Sequence, residues 1–327
     1  MRDLLLRRRN LLIRKQDEEM NIRAVCFEAD GEQTVSITMV GTAPTIIMQY
    51  SYDGVNWDAW DLSALTFGGS TKVYVRGMGN STFGKDNSNY NKITFGTDAY
   101  VYVSGIIESL LDGENEKLIL NTYGIFRNLF YRQTALRSAE NLRFEAISTG
   151  YNGVAVYAYM FYGCTNLLYA PKVISITTFS GGYECAYMFK NCESLVKAPE
   201  LPSTNLYGFV YQNMFDSCIS LVNAPELPAT TLAKSCYYNM FQNCSSLVNA
   251  PELPATTLAA NCYQNMLYGC TSLKTIRCRA KVTASSATVN WLYGVSSSGT
   301  FYGYSEYGWG TGVSGIPSGW EFVELTD

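Results

Sequence analysis

The chain has 327 residues, a formal net charge of −4 and a pI near 5.1, so no global basic field points to nucleic acid. It contains no histidine, which excludes Ser-His-Asp triads, Cys-His dyads and every His-containing zinc site. A composition that is 47% hydrophobic and 16% charged describes an ordered chain with a sizeable core, and 25 tyrosines suit β structure and aromatic contact surfaces.

In chain order, residues 1–19 form a Leu/Arg arm, MRDLLLRRRNLLIRK followed by an acidic cluster. Met1, Leu4, Leu5, Leu11 and Leu12 gather on one side of a helical wheel, but Arg8 and Lys15 share that sector, so amphipathicity is poor. The arm reads as a docking element for a larger assembly, carried by Leu4, Leu5, Arg7, Arg8, Arg9, Leu11 and Leu12. A frayed tail and a membrane-surface segment are the alternatives. Its longest apolar runs, Leu4–Leu6 and Leu11–Ile13, fall short of the roughly 7–15 residues of a secretory signal. The expectation is a chain that a standard signal does not export, with no segment near the ~20 residues of a membrane span.

Residues 20–120 read as a β-rich domain. Thr34–Met39, Ile46–Tyr52, Lys72–Arg76 and Ala99–Val103 are alternating or β-branched, with Gly, Asn and Asp between them. Asp53-Gly54 in QYSYDGVNWDAW signals a two-residue hairpin. SYDGVNW also resembles the sialidase Asp-box, but it lacks the residue between Asp and Gly and occurs once, so the hairpin is preferred.

Residues 121–281 are repetitive. Met160, Met188, Met214, Met240 and Met266 are separated by 28, 26, 26 and 26 residues, and each precedes by four a cysteine: Cys164, Cys192, Cys218, Cys244 and Cys270. A degraded earlier copy places Leu129 at the Met position and Gln133 at the Cys position. The spacing predicts a short helix capped by Thr256 or Thr257, with Leu258, Cys262 and Met266 as its inner stripe. Gly163, Asn191, Ser217, Asn243 and Gly269 would end the helices in the left-handed conformation, Ser217 being the departure from Gly or Asn. SLVNAPELP then runs extended, short or bent, because of its two prolines. Such units bury their apolar faces only by stacking. Residues 282–327 lose the repeat, supply Trp291, Trp309 and Trp320, and read as a cap.

MFQNCSSLVNAPELP, residues 240–254, resembles the Phe-x-x-Cys-x-Ser-Leu core and Pro-ended extended segment of the BspA-like leucine-rich repeat family of bacterial surface proteins. The opening MRDLLLRRR and the ending GIPSGW are similar to gut-Bacteroides relatives, phage-encoded ones included. The resemblance implies a right-handed solenoid used in adhesion or recognition, without enzymatic activity. The expected fold class is therefore α+β: an N-terminal β-sandwich-like domain, then a short leucine-rich-repeat solenoid with an aromatic and Gly-rich C-terminal cap.

Ten cysteines invite a disulfide or zinc reading, but one per repeat in register gives side chains that point the same way and do not converge. They read as buried reduced thiols, with no metal and no cofactor. Glu200, Glu226 and Glu252, headed by Lys172, form a column that reads as a solvated strip, with Ca²⁺ or a cationic ligand as the alternative. Recognition is expected where the repeats differ. Tyr169, Lys197, Asn223 and Asn249 make one varying column, and Lys190, Asp216, Gln242 and Tyr268, with Tyr162, make another. An idle solvent face would vary in the same way.

These features lead to the expectation of a non-catalytic recognition protein. It would be a phage virion component assembled in the bacterial cytoplasm: a fibre, tail or capsid-surface protein. It would dock to virion proteins through its arm and meet a host cell-surface protein or glycan through its repeats, as a monomer or a homo-oligomer. The alternatives are a bacterial cell-surface adhesin and a carbohydrate-binding or carbohydrate-active protein.

Overall fold

Alternating burial builds the first part of the chain. The computed structural model describes residues 22–114, 123–144, 155–174, 182–281, 286–305 and 308–326; the arm at 1–19 lies outside them. Eight strands come first: β1 (Val25–Ala29), β2 (Gln33–Val40), β3 (Met48–Ser51), β4 (Asp58–Trp60), β5 (Leu65–Phe67), β6 (Val73–Gly77), β7 (Tyr90–Phe95) and β8 (Val101–Ile106). Then follow β9 (Leu136–Arg143), β10 (Asn249–Leu253), β11 (Thr275–Cys278), β12 (Thr300–Gly303) and β13 (Glu321–Glu324). Each of the four expected β segments overlaps a strand: β2, β3, β6 and β8.

Two sheets close on each other, one of six strands in the order β4-β3-β6-β1-β8-β9 and one of three, β5-β2-β7. Phe27 of β1 meets Phe67 and Phe95 across them, with ring centroids 6.4 and 5.4 Å apart. The hairpin of β3 and β4 forms as expected, but Asp53-Gly54 does not make a two-residue turn. The innermost pair is Tyr50 with Asp58, and the longer loop is tied by Asp53 Oδ1, which accepts the Val55 and Asn56 amides at 2.8 Å each.

The expected α+β class is overturned. The chain is nearly all β, with 28% strand and 2% helix, the latter including a 3₁₀ turn at Ile107–Leu110, and no α-helix occurs among the described residues. The helix-and-strand leucine-rich-repeat unit is absent among them, and the reason lies in backbone sign. Where the spacing predicts a helix over Leu258–Met266, Asn261 and Asn265 have φ of 57° and 53°, and Gly269 follows at 74°. A left-handed residue at every fourth position is incompatible with a right-handed helix.

What forms is a ribbon of overlapping turns. In one copy, or rung, Tyr238, Met240, Gln242 and Cys244 donate their amides three residues back, to the carbonyls of Ser235, Tyr237, Asn239 and Phe241 at 3.1–3.2 Å. The alternate amides, of Ser235, Tyr237, Asn239, Phe241 and Asn243, donate to carbonyls of the following rung at 2.7–3.1 Å. Every amide from Ser235 to Cys244 is thereby satisfied, half within the rung and half between rungs, which meets the demand of a buried backbone without a helix. The extended segments add short parallel pairings, such as Tyr169 with Lys197 and Asn223 with Asn249.

Side chains stack in the same register. Phe130, Phe161, Phe189, Phe215 and Phe241 form a fully buried column with neighbouring centroids 5.2–5.6 Å apart and planes within 6°. All ten cysteines are free and buried. Each ladder cysteine donates its Sγ–H to the phenylalanine carbonyl of the preceding rung, Cys164 to Phe130 at 3.0 Å through Cys270 to Phe241 at 3.1 Å. The thiols are thus hydrogen-bond donors as well as small fillers.

The stack is joined to the sheets, since β9, the strand of the degraded first copy, pairs in parallel with β8. The ribbon also continues past residue 281. NWLYGV at 290–295 repeats NMLYGC at 265–270, Asn290 and Gly294 have φ of 54° and 73°, and Leu267 and Gly269 donate to the carbonyls of Trp291 and Tyr293. The parallel sheet β10-β11-β12-β13 carries this continuation to the C-terminal residues.

Candidate functional site

Each rung has left-handed positions at fixed places, and at the place just before the Met the residues follow a rule with one local exception. The position just before the Met place is Asn128, Asn213, Asn239, Asn265 or Asn290 in five rungs, all with φ between 53° and 61°. Asparagine is among the few L-residues that adopt this conformation routinely. In the two remaining rungs it is Tyr159 (φ 59°) and Tyr187 (φ 61°). Four residues earlier in the chain, where other rungs carry Ala155, Ser235 or Asn261, stand Tyr183 and Phe209, both with φ 64°. Four bulky aromatics therefore occupy a backbone state that costs about 1–3 kcal/mol each.

All four line one cavity of about 330 Å³. The opening arises from a gap in a neighbouring column. Two residues before the Met place the rungs carry Arg127, Ala158, Ala186, Gln212, Tyr238 and Gln264 in succession. The two alanines leave room between Arg127 at one end and Gln212 at the other, and both of these long side chains line the cavity. Tyr159 and Tyr187 stack at 4.5 Å, as do Tyr183 and Phe209, so the walls are two aromatic pairs.

The polar ends are held firmly. Arg127 is only 5% exposed, donates from Nε to Asn87 Oδ1 at 2.7 Å and from Nη1 to the Tyr123 hydroxyl at 3.2 Å, and lies 4.7 Å over the Tyr159 ring. No carboxylate among the described residues forms an ion pair with it. Gln212 donates from Nε2 to the Tyr187 hydroxyl at 3.0 Å, while its buried Oε1 has no partner among the described residues. Burial raises the Tyr159 phenol above its ordinary range and pushes that of Tyr187, beside it, up to about 12. Both hydroxyls stay neutral at physiological pH and serve as hydrogen-bonding groups.

The sequence-derived residues fall in two different settings. Tyr169, Lys197, Asn223 and Asn249 are exposed and lie along the extended segments, with Lys197 Nζ 3.0 Å from Glu140. Lys190 and Asp216 are turned to each other as an ion pair. Asp216 is 2% exposed and also accepts from Asn213 at 3.0 Å and Ser217 at 2.8 Å, so its carboxylate is fully engaged within the fold. Gln242 and Tyr268 are half-buried in the turn ribbon, where Tyr268 stacks on Tyr293 at 5.1 Å. Glu200, Glu226 and Glu252 are exposed, and Glu252 pairs with Arg279 at 2.7 Å. Among the described residues no group of His, Cys, Asp or Glu could hold a metal ion, and no helix is long and apolar enough to cross a membrane.

None of the residues singled out by sequence lines the cavity, although its signal stands in the chain. The pair before Met reads Ala-Tyr in two adjacent rungs, 158–159 and 186–187, and a long residue followed by Asn in the rungs at Arg127, Gln212, Tyr238 and Gln264. No family model, curated protein or solved structure matches the chain.

Proposed function

We propose that the chain is a non-catalytic recognition protein, carried on a phage particle and meeting the host through its repeat stack. One observation supports recognition above the rest. A backbone that repeats with little change departs from its own residue rule in three adjacent rungs, and the departures, Ala158-Tyr159, Ala186-Tyr187 with Tyr183, and Phe209, converge on one cavity. The aromatic residues held in that strained state among the described residues all lie at this cavity, which suits a binding site better than a scaffold. No bond-breaking step is assigned: Glu200, Glu226 and Glu252 repeat along an exposed column and do not converge as an acid and base pair would.

The virion setting rests on the Leu/Arg arm and on the resemblance of the opening and ending of the chain to phage-encoded relatives. Mass spectrometry of purified particles should find the chain, and deleting residues 1–19 should abolish its incorporation. Unchanged incorporation would remove the arm's role. Absence from particles, with the chain displayed on the bacterial surface, would favour the adhesin reading that the BspA-like resemblance supports.

A further inference from the structure

We infer that the gap between Arg127 and Gln212 binds a saccharide; this rests on the recognition reading above and names its ligand class. Tyr183 is the platform. One face of its ring is covered by Phe209 at 4.5 Å, no other described ring or cation lies against the opposite face, and the residue is 38% exposed. A pyranose presents a face of C–H bonds that packs on such a ring, while its hydroxyls remain free at the rim.

Those hydroxyls match the two ends. The Gln212 amide satisfies one of its ends on Tyr187 and leaves the other buried without a partner among the described residues. A small turn of the half-buried Gln212 side chain brings that end to a ligand hydroxyl, which can complete it in either sense because a hydroxyl both donates and accepts. At the other end the Arg127 guanidinium is fixed by Asn87, Tyr123 and Tyr159, and no described residue accepts from its Nη2. It can donate to sugar hydroxyls or, in a uronic acid, to the carboxylate.

Size and backbone favour a sugar over a peptide. The volume of about 330 Å³ sits at the small end of the ~300–1,000 Å³ range of small-ligand sites. A bound peptide strand needs unpaired backbone, whereas here the amides of Tyr159, Tyr183 and Tyr187 already donate to the next rung.

The test uses the full chain against neutral hexose and uronic-acid oligosaccharides, with binding measured by calorimetry and fold by thermal melting. The wild type should bind at least one class. Ala186→Gln, which installs the residue found at 212 and 264 of the same column, should weaken binding about tenfold or more with little change in melting. Tyr183→Ser, which copies the residue at 235, should do the same if the glutamine disturbs packing. Binding to uronic acids alone assigns Arg127 to the carboxylate, and binding to neutral sugars assigns it to hydroxyls. Failure of the wild type on every sugar, or undiminished binding by both variants, overturns the inference. If the wild type binds host cells or a host protein but no sugar, only the ligand class falls and recognition stands.

Discussion

The two sheets at the N-terminus and the repeat stack solve the same problem by different arithmetic. In the sheets, side chains alternate in and out, so the first half of β2 buries every second residue: Gln33, Val35 and Ile37. In the stack, burial comes in pairs with a period of four: Cys236 and Tyr237, Met240 and Phe241, then Cys244. Sheet strands satisfy both backbone sides on neighbours, whereas the ribbon sends alternate amides back into its own rung and onward to the next. A stack of this kind therefore depends on left-handed residues at fixed places, and on columns of identical side chains, in a way the sheets do not.

The largest expected consequence concerns thiols. Nine of the ten cysteines lie in the stack or its continuation, and only Cys26 lies in the sheets. Burial pushes Cys164, Cys262, Cys270 and Cys278 up to about 12, and raises Cys192, Cys218 and Cys244 well above the ordinary thiol value. Linkage fixes the sign: the unfolded chain releases these protons near pH 8.5–9, whereas the folded one holds those of Cys164, Cys262, Cys270 and Cys278 until near 12 and the others well above their ordinary range. Their stabilisation is complete below about pH 9 and lost progressively as pH rises towards 12. Alkylation with mass readout should find the stack thiols unreactive at neutral pH and modified together as it unfolds in that alkaline window. Rapid labelling of the ladder cysteines in the native state at neutral pH would contradict their place in the core.

The next effect distinguishes ribbon from helix by sign. At Asn239, with φ 55°, replacement by Ala should destabilise by about 1–2 kcal/mol, because an alanine resists the left-handed state, and Gly should be nearly neutral. A helix would reverse the order, since Ala is favoured over Gly there by about 1 kcal/mol. Equilibrium denaturation of the two variants decides it, and an alanine variant more stable than the glycine one would sink the turn ribbon.

The same contrast explains what the sequence discloses. The sheet strands are legible because a period of two resembles nothing else. The repeat and its cysteine ladder are legible because identical residues recur at fixed separation. The expected helix fails for a physical reason: over the nine residues from Leu258 to Met266, periods of 3.6 and 4 place apolar side chains almost identically. The distinguishing signal is the spacing of left-handed residues. Asn261, Asn265 and Gly269 recur every four residues, and Ser235, Asn239 and Asn243 do so one rung earlier, whereas a helix end accounts only for the last of each set. The aromatic cavity stays hidden because Tyr and Phe are poor left-handed residues, so Tyr159, Tyr183, Tyr187 and Phe209 do not announce a turn. Trp291 in the place of Met hides the continuation in the same way.

The smallest expected effect tests which surface is free to vary. Lys197 and Glu140 form an ion pair at 3.0 Å, but the lysine side chain is 59% exposed, and a pair so open to solvent contributes about 0–1 kcal/mol. Lys197→Ala should therefore leave the denaturation midpoint nearly unchanged, and Asn223→Ala, exposed in the same column, should do likewise. Lys190→Ala is the informative contrast. It strips the partner from Asp216, a buried carboxylate, and should lower stability more than either exposed variant. If Lys197→Ala were instead the more damaging, the exposed column would be part of the frame, and the freedom to vary that a recognition surface needs would have to be sought elsewhere on the stack.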